Sequence, residues 1–206
     1  TLFANIVFSA KKLSRLNGYI YGLPNKKCLP SPSASLALSS LDNVTVISAA
    51  LRHYQGVITA VTGHINVHET GALESCGHKC LTIETADGKL TAEQIAAYTD
   101  AHYADASFEH TVQPKMVYIS NPTEIGTIYK KAELEAIYDV CKERGLYLFL
   151  DGARLGYGLT CRENDLTLAD VAALTDVFYI GGTKVGALFG EAVVITNEEL
   201  KRDFRY

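Results

Sequence analysis

Basic charge is in short supply in this 206-residue chain: 19 Lys and Arg stand against 23 Asp and Glu, a formal net charge of −4 at pH 7. With no positive field to hold phosphate backbones or anionic lipid, nucleic acid and membrane surfaces are not expected partners. Long apolar runs are also missing. The longest, such as Leu146–Leu150 and Val177–Ile180, are strand-sized and far below the ~20 residues that cross a bilayer. The apolar opening Thr1–Phe8 has no basic region before it and no clear small-residue cleavage site after it, so it does not read as a secretory signal. Cysteine is sparse and odd in number: Cys28, Cys76, Cys80, Cys141 and Cys161 suit reduced thiols in the cytoplasm better than a disulfide scaffold.

What is present is an apolar fraction of 48%, ample for the buried core of one domain, or of one domain and a piece of another. From Asn43 onward, helix patterns alternate with short β-rich runs, the mark of an α/β fold with a mostly parallel sheet flanked by helices. Leu134, Ile137, Tyr138 and Cys141 recur at helical spacing before Gly145, which predicts a helix over Lys131–Arg144. Further helices are expected over Thr91–Ala104, Leu166–Leu174 and His68–Ser75. Strands are expected at Val57–Ala60, Lys79–Ile83, Met116–Ile119, Leu146–Leu150, Val177–Ile180 and Ala192–Ile195. Asn197–Tyr206 opens like a capped helix and stops, so a C-terminal domain is expected to be absent. Residues 1–42, with Ser and Pro gathered in Cys28–Ser35, sustain neither period and form an atypical N-terminal segment.

Four segments carry chemistry. In Phe178–Ala187 a buried strand runs into Gly181 and Gly182 and delivers Lys184 to the sheet edge. Desolvation there favours the neutral amine that attacks an aldehyde, and the glycines permit close approach of a bulky group; a solvated lysine in a glycine turn is the competing reading. In Leu148–Arg154, Asp151 ends a strand where α/β sheets bind ligands, and its carboxylate can hold a protonated pyridine nitrogen. Arg154 offers a bidentate fork to a substrate carboxylate. A helix N-cap aspartate with a surface arginine is the plainer alternative. In Thr62–Ala72, His64 follows a strand and its imidazole can lie flat on an aromatic ring. His64 and His68 also have helical metal-ligand spacing, with Cys76, His78 and Cys80 nearby, but no Cys-x-x-Cys or His-Glu-x-x-His accompanies them, and no metal is assigned. In Tyr118–Thr127 a strand ends in Asn121-Pro122, which places polar side chains, Glu124 among them, at the sheet's rim.

In order and spacing, these segments resemble the threonine aldolase and β-eliminating lyase family of pyridoxal phosphate enzymes, from about Asn43 to Tyr206. The resemblance implies the large domain of the fold-type I (aspartate aminotransferase-like) transferase fold over residues 43–197, with residues 198–206 leading towards a C-terminal domain. It implies pyridoxal 5'-phosphate bound to Lys184 as Schiff-base lysine, Asp151 at the pyridinium nitrogen and His64 stacked on the ring. Arg154 matches a substrate-carboxylate ligand, Thr183 a cofactor contact, and Glu69, Glu124 and Asn121 supporting positions. The implied activity is aldol cleavage of a β-hydroxy-α-amino acid, threonine to glycine and acetaldehyde, in a homodimer or homotetramer. Another lyase or an aminotransferase acting on amino acids would use the same residues, and a truncated, non-catalytic domain is the reading from a different class. Departures are visible. Where the family has a Gly-Gly-Thr phosphate loop, this chain has Ala37–Asn43; Asp42 is expected to repel a phosphate dianion, and Ser39, Ser40 and Asn43 remain as donors. The family's histidine after the Met116–Ile119 strand is replaced by Asn121, Pro122 and Glu124, leaving the base open.

Overall fold

The computed structural model describes residues 19–22, 42–187, 190–202 and 204; most of the atypical N-terminal segment, with Ser39 and Ser40, lies outside the described residues. The described strands are β1 (Tyr19–Gly22), β2 (Gln55–Ala60), β3 (Cys80–Ile83), β4 (Gln113–Ser120), β5 (Tyr147–Asp151), β6 (Val177–Gly181) and β7 (Glu191–Ile195). The helices are α1 (42–50), α2 (His64–Val67), α3 (Ala72–Ser75), α4 (Ala92–Ala104), α5 (Lys131–Glu143), α6 (Leu155–Thr160), α7 (Leu168–Ala173) and α8 (Glu198–Lys201).

The strands form one seven-stranded sheet in the order β1-β7-β6-β5-β4-β2-β3. From β6 to β3 all neighbours are parallel, whereas β7 runs antiparallel to β6 and β1 antiparallel to β7. Leu148, Phe149 and Leu150 of β5 and all of β6 are buried, which explains why these central strands appear in the sequence as apolar runs rather than alternating ones. One face packs Ile58, Val117, Leu148, Leu150 and Phe178 against α4, α5 and α7 residues such as Ile95, Leu134 and Val171. The other packs Val57, Met116, Tyr118, Phe149 and Tyr179 under Val46 and Ile47 of α1 and Leu200 of α8.

Local signals explain most boundaries. The Thr91 side chain accepts from Gln94 N and the Gln94 side chain from Thr91 N, a capping box that starts α4. Gly145 has φ 64°, so it can end α5 where a side chain would be strained. Thr167 and Asp170 form a second capping box, so the expected Leu166–Leu174 helix begins at Leu168. The expected helix within His68–Ser75 is broken: Thr70 (φ 54°) and Gly71 (φ 73°) are left-handed, leaving only α3 and, before it, the separate turn α2.

The ends of the sheet remote from the strand carboxyl termini are fastened by buried Asp176. Its Oδ2 accepts Leu148 N at 2.8 Å, and its Oδ1 accepts Asn197 Nδ2 at 2.7 Å and pairs with Lys142. Its carbonyl accepts Thr196 N at 3.0 Å. One carboxylate thus ties β5, α5 and the end of β7 to the start of β6.

Candidate active site

Parallel strands leave a crevice at their carboxyl ends, where connecting segments diverge. At the β5–β6 edge the backbones press together. A Cβ on Gly152 would lie 1.8 Å from Tyr179 O, and one on Gly181 would lie 2.6 Å from Ala153 O; Gly181 N also donates to Gly152 O at 2.9 Å. Glycine is therefore required here by the protein's own backbone, and not, at Gly181, to admit a ligand as the sequence suggested. This contact sits between Asp151, the last residue of β5, and Lys184, in the 3-10 turn Thr183–Val185 that follows β6.

Asp151 is 3% exposed and held from several sides. Its Oδ1 accepts Ala153 N at 2.8 Å, and its Oδ2 accepts the Tyr118 hydroxyl and, at 3.4 Å, Asn43 Nδ2. His64, at the start of α2, is also buried, and its Nδ1 lies 2.8 Å from Glu69 Oε1. With the carboxylate accepting, Nδ1 carries the proton and Nε2 is left as the ring's acceptor in the neutral tautomer. The Glu124 carboxylate joins α2 to β4, its Oε1 accepting His64 N at 3.1 Å and Ser120 Oγ at 2.6 Å.

Lys184 is half-buried, and its carbonyl accepts the Tyr157 hydroxyl at 2.6 Å. Burial pushes its amine below the ordinary lysine value of 10.5, and the Arg154 guanidinium adds repulsion; Asp151, Glu191 and Glu124 act in the opposite direction without reversing it. The Arg154 side chain makes no hydrogen bond or ion pair among the described residues. Burial, reinforced by Asp151, drives the phenols of Tyr118 and Tyr179 well above their usual range, so both remain protonated and able to donate.

Lys184, Asp151, Arg154, His64, Glu69 and Glu124 are thus coupled around one crevice, with Thr183 beside Lys184. Asn121 departs from expectation: its side chain is 1% exposed and Oδ1 accepts Tyr129 N at 3.2 Å, so it braces the loop after β4. Asn43 departs as well, because both amide protons go to Glu69 and Asp151 rather than to a phosphate. Asp42 is fully buried; burial, then Glu191, Asp151 and Glu69, raise its carboxyl far above the usual range. These surroundings favour its neutral form, which weakens the expected charge repulsion. Of the possible metal ligands, His64 faces Glu69 and His78 Nδ1 lies 3.1 Å from Gln55 O. No group among the described residues is arranged to hold a metal.

Tyr118, Tyr179 and the Asn43 bridge escaped the sequence reading. The alternation of β4 and β6 could have placed the two tyrosines on Asp151's face of the sheet, but no local pattern marks the bridge. Several buried polar atoms on the surrounding elements have no partner among the described residues: Tyr179 Oη, Thr59 Oγ1, Thr62 Oγ1, Asn43 Oδ1 and Glu69 Oε2. Orphaned groups cost about 1–3 kcal/mol each, so the crevice is suited to a ligand with polar substituents. An aldehyde-bearing pyridine fits this donor set, which supplies an amine shifted towards its neutral form, a buried carboxylate and a buried imidazole.

A family model described as "Beta-eliminating lyase" matches residues 32–205, reaching some way before the point where the resemblance fades by eye. The low specificity L-threonine aldolase of Pseudomonas aeruginosa is 37% identical over 173 residues, covering 80% of this chain and 47% of that protein. The chain therefore spans about half the length of the curated relatives it matches. A solved structure of Leishmania major threonine aldolase superimposes with a TM-score of 0.82 at 47% identity, covering 95% of this chain and 52% of that one. A Bacillus subtilis ureidoglycine-glyoxylate aminotransferase, 18% identical with a TM-score of 0.60, covers 91% of this chain and 41% of its own and shows the fold alone. The aspartate aminotransferase-like large-domain fold expected from the sequence is the one observed.

Proposed function

Because the chain belongs to the β-eliminating lyase family, we propose that its crevice binds pyridoxal 5'-phosphate and serves aldol cleavage of β-hydroxy-α-amino acids, most simply threonine to glycine and acetaldehyde. The observation that carries this reading is the meeting, at the carboxyl ends of β5 and β6, of a lysine whose amine is shifted towards its neutral form with a buried, doubly anchored carboxylate.

When bound, the cofactor supplies an electron sink for the pair released as the Cα–Cβ bond breaks. The chain's residues do the rest. Lys184, its amine shifted towards the neutral form, would be the residue that holds the cofactor's aldehyde. Asp151 would hold the proton on the pyridine nitrogen, and its anchors keep the carboxylate from turning away. His64, fixed by Glu69, would offer its imidazole face to the ring, and Thr183 would contact the cofactor beside Lys184. Arg154, without an ionic partner among the described residues, takes the substrate carboxylate and so sets which bond at Cα is aligned for cleavage. Glu124 Oε2 makes no hydrogen bond among the described residues, which favours this carboxylate as acceptor of the β-hydroxyl proton.

Residues 43–197 form the cofactor-binding unit in this reading. Cys76, Cys80, Cys141 and Cys161 are free thiols, which supports a cytoplasmic protein, and no helix of the described residues is long and apolar enough to cross a membrane. Val67, Ile125 and Tyr157, which flank His64, Glu124 and Lys184, are exposed at 48%, 56% and 54% and support a homodimer or homotetramer joined near the crevice.

The test is incubation of the cofactor-loaded protein with threonine and assay for glycine and acetaldehyde. Both products are expected from the unsubstituted protein and neither from Lys184→Ala. Loaded protein that instead forms a 2-oxo acid would show that the crevice breaks a different bond.

A further inference from the structure

The proposed chemistry gives no task to the buried amide of Asn43. Asn43 lies in the first turn of α1 and is fully buried. Its Nδ2 is 2.6 Å from Glu69 Oε1 and 3.4 Å from Asp151 Oδ2. Each acceptor oxygen already serves a residue of the crevice: Glu69 Oε1 takes His64 Nδ1 at 2.8 Å, and Asp151 Oδ2 takes the Tyr118 hydroxyl. A carboxylate oxygen has lone pairs for two donors, so the pattern is one continuous chain: His64, Glu69, Asn43, Asp151, Tyr118.

The orientation of the amide follows from its partners. Turned over, Oδ1 would face two carboxylates and both protons would be lost to the network. The two carboxylates are nearly buried, at 5% and 3% exposure, in surroundings where like charges repel far more strongly than in water. A neutral group donating to both is the one kind of side chain that lets them lie close without neutralising either. An asparagine that merely packed a helix start would be satisfied by nearby backbone; these partners are 26 and 108 residues away in sequence, and both orient crevice side chains.

We propose that Asn43 is a positioning residue that ties the His64–Glu69 pair to Asp151. It fixes the imidazole above the cofactor ring relative to the carboxylate at the ring nitrogen. The inference rests on the reading of the crevice as a pyridoxal phosphate site.

Two experiments test it. In the unsubstituted protein, NMR is expected to show both Asn43 side-chain amide protons exchanging slowly with solvent and in through-space contact with the Tyr118 and His64 side chains. Rapid exchange, or absence of those contacts, overturns the bridge without any substitution. The second uses Asn43→Asp, nearly the same shape with the donor replaced by an acceptor, and Asn43→Ala. Each is expected to take up cofactor, measured by its absorbance, while kcat per loaded site falls about ten- to hundred-fold, the scale of a small misplacement of reacting groups. KM is expected to stay within about three-fold, because Arg154, which takes the substrate carboxylate, is untouched. A variant that melts earlier but keeps the unsubstituted kcat per loaded site shows a packing residue only and refutes the proposal. If the unsubstituted protein takes up no cofactor, the proposed function fails, whereas loaded variants with unchanged kcat sink the Asn43 inference alone. Should neither variant fold, the NMR measurement still decides.

Discussion

Replacing Asp176 by alanine tests whether the strand that delivers Lys184 is anchored as the hydrogen bonds indicate. The substitution strips Leu148 N, buried at the head of β5, of its acceptor at 2.8 Å; an unsatisfied buried donor costs about 1–3 kcal/mol. It also removes the 2.7 Å bond from Asn197 Nδ2, worth about 1 kcal/mol. The Lys142 pair adds little, because the lysine side chain is 37% exposed and its partner's loss is softened by water, leaving under about 1 kcal/mol. The sum is about 2–5 kcal/mol. In a domain of this size each kcal/mol lowers Tm by about 2–4 °C, so a fall of roughly 4–20 °C is expected in a thermal melt followed by circular dichroism. Asp176→Asn keeps one side-chain oxygen for Leu148 N and should lose about half as much. An alanine variant melting within about 2 °C of the unsubstituted protein, below the shift expected, would refute the reasoning, since the hub would then contribute nothing.

Arg154 repulsion is one of the two causes that depress the Lys184 amine, so Arg154→Gln removes a force favouring the neutral form. The midpoint pH for reaction of Lys184 with a small aldehyde is expected below 10.5 in the unsubstituted protein and higher in the variant; a midpoint unchanged or lowered would contradict the assignment. Gly152→Ala sets a Cβ 1.8 Å from Tyr179 O, a backbone clash that no rotamer relieves. A loss of about 1–3 kcal/mol or more, with weakened cofactor uptake, is expected in denaturant titrations. Glu69→Ala takes away the acceptor of His64 Nδ1; nitrogen NMR shifts of the imidazole should then report a mixture of tautomers in place of one.

Much of this architecture was legible because its central strands are buried on both faces and therefore written as unbroken apolar runs. Lys131–Glu143 was legible for the complementary reason: one stripe of Leu134, Ile137, Val140 and Cys141 is buried and the rest is polar. Asp151 and Lys184 could be placed at one edge from their positions at strand ends alone. The helix expected over His68–Ser75 is interrupted because Thr70, not a residue that usually signals a left-handed turn, adopts φ 54°. The network around Asp151 was not legible at all. Asn43 and Tyr118 reach Asp151 across 108 and 33 residues, distances at which no periodicity operates. Asp42 reads as a repelling charge because its sequence neighbours do not reveal burial, and it is burial that favours its neutral form.

Lys184 and Asp151 must serve one cofactor if the crevice works as proposed. Borohydride reduction of the protein loaded with pyridoxal phosphate, followed by peptide mass spectrometry, tests this most directly when run on unsubstituted protein, Lys184→Ala and Asp151→Asn. The unsubstituted protein is expected to be yellow before reduction and to carry a reduced pyridoxyl phosphate adduct on the peptide containing Lys184 after it; both are absent from Lys184→Ala, and the absorbance before reduction is altered in Asp151→Asn. A reduced adduct on another lysine, or an Asp151→Asn spectrum identical to that of the unsubstituted protein, would contradict it.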